Sequence, residues 1–107
     1  MARSWMRPKS PAFSDDELGD ALGRWDGSKN LDVLLPILEA LHSKSKALAI
    51  GGKIMELRER IVNTPDAWGG PLPDAWKKMV SSTAQRYPSI QQGALERICH
   101  DWAWRNR

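Results

Sequence analysis

From Ala47 to Ile61 the apolar residues Ala47, Ile50, Ile54, Leu57 and Ile61 recur in alternating steps of three and four. An α-helix turns once in about 3.6 residues and lines such positions up on one side, whereas a strand alternates sides every two residues. This segment must therefore be a helix with one buried stripe. Glu56, Arg58, Glu59 and Arg60 fall between the apolar positions and are expected to form its wet face. Gly51-Gly52 lies inside the segment, where each glycine costs about 1 kcal/mol relative to alanine. The helix is expected either to break there or to run through with another backbone packed closely against it, and the unbroken helix is favoured, until Asn63-Thr64-Pro65 stops it.

The same period governs the rest of the chain. Ser14-Asp15-Asp16-Glu17 is a capping box, in which the serine oxygen takes the amide three residues on and the glutamate reaches back. It opens a helix to about Trp25, with Leu18, Ala21, Leu22 and Trp25 as its stripe, ended by Asp26-Gly27-Ser28. Asn30 or Asp32 is expected to cap a second helix containing Leu34, Leu35, Ile37, Leu38 and Leu41, with Pro36 tolerable in its first turn or at a kink. This run is apolar on nearly every side, so it is expected to be the central, most buried helix.

A duplicated tetrapeptide, Pro65-Asp66-Ala67-Trp68 and Pro73-Asp74-Ala75-Trp76, surrounds Gly69-Gly70-Pro71-Leu72. Proline presets φ for a first helical turn, and aspartate favours the positive end of the helix dipole, so each copy reads as a helix start. The glycines cut off the first. The second leads a helix from Pro73 to about Arg86, burying Trp76, Met79, Val80 and Thr83 and ending at Tyr87-Pro88. Ser89-Ile90-Gln91-Gln92 is a second capping box, opening a fifth helix with Ala94, Leu95, Ile98 and Trp102 inward. The expected fold is all-α, a compact single-domain bundle of about five helices over residues 14–107, preceded by a basic irregular arm at 1–13.

A chain of 107 residues makes one domain with one core. Its single cysteine, Cys99, leaves it without an internal disulfide or a zinc-ligand set, so packing must hold the fold. No apolar run reaches the roughly 20 residues needed to span a bilayer, and the basic N-terminus lacks the apolar segment of a signal peptide. A cytoplasmic protein without membrane attachment is expected. Residues 14–43 carry seven acids against Arg24 and Lys29, a net of −5, while the whole chain carries +3. The acidic first third beside a basic remainder implies internal complementarity or two faces of opposite sign.

Catalysis finds few groups to use. Cys99 and His100 are neighbours on a helix, where their side chains diverge by about 100° and cannot act as nucleophile and base. No phosphate-cradling loop and no pair of histidines or cysteines at ligand spacing is present. A non-enzymatic protein with no catalytic residue, cofactor or metal is expected.

Binding chemistry gathers at the two ends. Trp102 and Trp104 point about 160° apart on a helix, so with Trp102 inward Trp104 lies outside, beside Arg105 and Arg107. Trp5 between Arg3 and Arg7 repeats that aromatic and arginine pairing. These residues suggest a small regulatory or inhibitory protein that attaches to a larger protein or nucleoprotein assembly, in the manner of the small host-directed proteins of phages and mobile elements. The alternative is nucleic-acid binding by a helix-turn-helix-like pair over 73–107. Gln91 and Gln92 would then read base edges, and Lys77, Lys78, Arg86 and Arg97 would lie near phosphates, helped by the basic arm. An Ile or Leu face left open on the third helix would also suit a homodimer.

Overall fold

A computed structural model describes residues 13–65 and 69–105. Among them are five helices and no strand: α1 (Asp15–Arg24), α2 (Leu34–Leu41), α3 (Lys44–Val62), α4 (Leu72–Arg86) and α5 (Gln92–Arg105). The all-α expectation holds. Helix α3 packs against α1, α2 and α5, and α4 packs against α5. No described helix is long and apolar enough to cross a membrane. Of the basic arm only Phe13 is described, and it packs on the core; the first tetrapeptide's Asp66, Ala67 and Trp68 lie outside the described residues.

Local hydrogen bonds explain where α1 sits. The Ser14 hydroxyl accepts from the Glu17 amide at 3.1 Å and Glu17 Oε1 accepts from the Ser14 amide at 2.8 Å, completing the box. Glu17 Oε2 also receives the Lys46 ammonium at 2.8 Å, which ties the start of α1 to the first turn of α3. Lys46, and then the Ser14 amide, lower the Glu17 pKa from 4.5 to about 2. A carboxylate with a depressed folded-state pKa contributes stability fully above its unfolded value, and loses that contribution as pH falls from about 4.5 through about 2. Urea unfolding between those limits is expected to show Glu17→Gln less stable than the natural chain at the upper end and equal to it at the lower. A gap independent of pH would remove this role.

Helix α3, not α2, is the centre. Ala47, Ile50, Ile54, Leu57 and Ile61 are all buried, whereas α2 buries only Leu34 and Leu38. Among the described residues α3 is the main element packed on α2, and Ile37 and Leu41 on this two-turn helix stay exposed. Asn30 and Asp32 do not cap α2 directly. Its N-cap is Val33, without a side-chain bond; Asn30 Oδ1 instead accepts from the Asp32 amide in the preceding turn, at 3.3 Å. Pro36 occupies the first turn, where its missing amide costs no bond.

Helix α3 runs unbroken through the glycine pair, and the two glycines have different surroundings. A Cβ on Gly51 would meet Leu31 Cδ1 at 2.9 Å and Leu35 Cδ2 at 3.2 Å, so side chains before and within α2, not another backbone, occupy that space. A Cβ on Gly52 meets nothing within 4 Å. Gly52→Ala is therefore expected to raise stability by about 0.5–1 kcal/mol through helix propensity alone, and Gly51→Ala to gain nothing or lose. Equal shifts in paired thermal melts would contradict that assignment.

Helix α4 begins at Leu72, one residue ahead of the second Pro-Asp-Ala-Trp, with Pro71 as N-cap after two left-handed glycines. It buries Ala75, Met79 and Thr83; Trp76 and Val80 are half-buried against the core. The Ser89 box does not open α5. Ile90 is buried, and its amide bonds the Tyr87 carbonyl at 3.1 Å in a tight turn that delays the helix to Gln92. The Gln91 side chain donates instead to the Trp25 carbonyl at 2.6 Å.

Candidate functional site

A charged surface groove lies where the α1–α2 loop meets α3 and α5. Gly27 makes this junction close: its φ is +84°, and its Cα lies so near α5 that a Cβ would fall 2.5 Å from the Ala94 carbonyl oxygen. Only glycine fits both the backbone conformation and the gap. The Gly27 carbonyl accepts from Arg58 Nε at 3.1 Å, and the same guanidinium pairs with Asp101. Arg58 is thus buried, 7% exposed, rather than part of the wet face of α3. Its position, four residues after Ile54 and four before Val62, continues a buried row, and a charge there is tolerated because Asp101 and a backbone carbonyl satisfy it.

An open depression of about 600 Å³ lies over this junction, with Lys29, Asn30, Arg58, Arg97, His100 and Asp101 among its walls. A second depression continues it toward Glu59, Trp104 and Arg105. Charges of both signs line the groove. Arg97 pairs with Asp26 at 3.3 Å, and the Ser28 amide, then its hydroxyl, then Arg97 hold the Asp26 carboxyl below the usual range. Arg105 donates to Asn63 Oδ1.

Trp104 stands at one end of the groove. Trp102, two residues earlier, is fully buried and donates its indole N–H to the Thr64 carbonyl at 2.6 Å, while Trp104 is 56% exposed. The divergence expected for residues two apart on a helix is present. The Trp104 ring meets that of His100, one turn back, with centroids 6.4 Å apart and planes tilted by 52°. Trp104 also shares a hollow with Leu72, His100 and Ala103, at the start of α4.

The predicted site residues thus separate. Trp104 and Arg105 adjoin the groove, whereas Trp5, Arg3, Arg7 and Arg107 lie outside the described residues. Of the six nucleic-acid candidates, Gln91 is held by Trp25 and Arg97 by Asp26; Gln92, Lys77, Lys78 and Arg86 are exposed. Sequence reasoning passed over His100, Lys29, Arg58 and Asp101 as site residues. His100 was findable from its spacing of four before Trp104, but the other three are assembled by tertiary contact.

Cys99 faces the core and His100 faces solvent. Burial pushes the Cys99 thiol up to about 11, against a smaller opposing effect from the Thr83 hydroxyl. Among the described residues no group of three or more His, Cys, Asp or Glu side chains could hold a metal ion. No family model matches the chain, and neither the curated proteins nor the solved structures contain a significant match.

Proposed function

We propose that this is a small binding protein that docks onto a larger protein or nucleoprotein through the end of α5, acting as a regulator or inhibitor rather than as an enzyme. The observation that carries the reading is Trp104, an exposed aromatic in tilted contact with His100 and set beside a groove with arginines in its walls. Binding energy concentrates in such aromatic and arginine anchors, and the two flanking hollows supply relief for a partner's side chains. The mixed charge of the groove favours a protein surface over a phosphate backbone. Lys29, Arg58, Arg97 and Arg105 are opposed there by Asp26, Glu59 and Asp101, so little net positive field remains to attract a polyanion.

The test is capture from the native cell with nuclease-treated extract. His100→Ala combined with Trp104→Ala is expected to reduce the captured partner at least about tenfold, as loss of a hot spot does. The melting temperature should change by only a few degrees, since both rings are largely outside the core. Unchanged capture by the double variant would remove the surface. Binding of duplex DNA or RNA that weakens steeply with salt, and that is lost with Lys77→Ala and Lys78→Ala, would favour the helix-pair alternative instead.

A further inference from the structure

One apolar stripe has no counterpart among the described residues. Val33, Ile37 and Leu41 stand four residues apart along one flank of α2 and are 71%, 37% and 49% exposed, and Leu48, in the first half of α3, is 54% exposed. The inner side of α2 is already committed, through Leu34 and Leu38 in the core and Leu35 against Gly51. A run of large aliphatic side chains left outward in this way marks a contact surface rather than scattered exposure.

We propose that this stripe receives a second copy of the chain, in an antiparallel contact of α2 with α2 on a two-fold axis passing Ile37. One feature permits that occupant and another favours it. The first is symmetry: Val33 and Leu41 lie four residues to either side of Ile37, so in an antiparallel pair Val33 of each copy faces Leu41 of the other, as a two-fold contact requires. The second is charge. Asp32 stands just before α2 and Lys44 opens α3 just beyond its far end, in a first turn that contains no acid. Antiparallel packing brings Asp32 of one copy to the Lys44 end of the other, whereas parallel packing would set like charges together. The stripe spans about 12 Å and offers on the order of a few hundred Å² per copy. That is less than a standard interface buries, so the dimer is weak and depends on concentration.

The proposal concerns a surface separate from the Trp104 groove and does not depend on the reading of that groove. It is tested by sedimentation velocity on the full chain over about three decades of concentration up to millimolar. The natural chain should shift from monomer to dimer, and Ile37→Asp should raise the dissociation constant at least about tenfold while leaving the circular dichroism unchanged. Asp32→Lys and Lys44→Asp should each weaken association, and the two together in one chain should restore it. A chain that stays monomeric at every concentration, or a dimer indifferent to Ile37→Asp, overturns the proposal. Failure of the double charge reversal to recover association overturns the antiparallel arrangement.

Discussion

Trp102→Ala is expected to destabilise the protein by about 3–5 kcal/mol, the usual cost of deleting a large aromatic from a core. Trp102 has no exposed surface, and its indole N–H satisfies the Thr64 carbonyl at the exit of α3. The substitution therefore opens a cavity and orphans an acceptor together. Against a total stability of about 5–15 kcal/mol for a domain of this size, that loss takes a large share and should lower the melting temperature by more than about 12 °C. Trp102→Phe weights the two contributions differently, because it keeps most of the volume while losing the hydrogen bond, which alone costs about 1–2 kcal/mol. Urea and thermal unfolding of both variants would check this. A loss below about 1 kcal/mol for the alanine variant would mean that α5 is not docked through Trp102.

The second large effect is expected at Gly27. An alanine there would have to hold a left-handed φ of +84° and place its Cβ 2.5 Å from the Ala94 carbonyl oxygen and 2.8 Å from the Ala94 Cα. The left-handed conformation alone costs about 1–2 kcal/mol, and overpacking against backbone, which cannot rotate away, adds about 1–3 kcal/mol. Gly27→Ala should therefore lose about 3 kcal/mol. Gly70→Ala is the control, since Gly70 also has a positive φ, +75°, but a Cβ there meets nothing within 4 Å. It should lose only the conformational part, about 1 kcal/mol. Similar losses in the two variants would show that the loop does not press on α5. Because the Gly27 carbonyl also receives Arg58, displacing the loop would disturb the floor of the groove along with the fold.

What could be read from the sequence was whatever local hydrogen bonding and spacing decide. The Ser14–Glu17 box, the stripe from Ala47 to Ile61 and the opposed directions of Trp102 and Trp104 all depend on residues within a turn or two of one another, and all are present. What could not be read depends on which side a neighbour covers. Helix α2 looked central because it is apolar all round, but only one side meets α3, and Ile37 and Leu41 stay outside. Ser89 had the right spacing for a cap, yet burying Ile90 drew that segment into a turn and moved the helix start to Gln92.

The candidate site was half legible for the same reason. Trp104 follows from helical geometry, whereas the groove beside it is made by residues from separate segments meeting. Arg58 pairs with Asp101 forty-three residues on, and Arg97 with Asp26 seventy-one residues back. Nothing local to Arg58 reports that Asp101 will be there. The stripe that includes Ile54 and Leu57 was visible, but an arginine next to it reads as solvated until its partner is known.

The central claim is that the end of α5 is the partner surface, and photocrosslinking in the native cell tests it most directly. A photoreactive residue placed at position 104 should trap one protein partner, and the same residue at Lys78 on the outer side of α4 should not. No adduct from position 104, or the same adducts from both positions, would contradict the account.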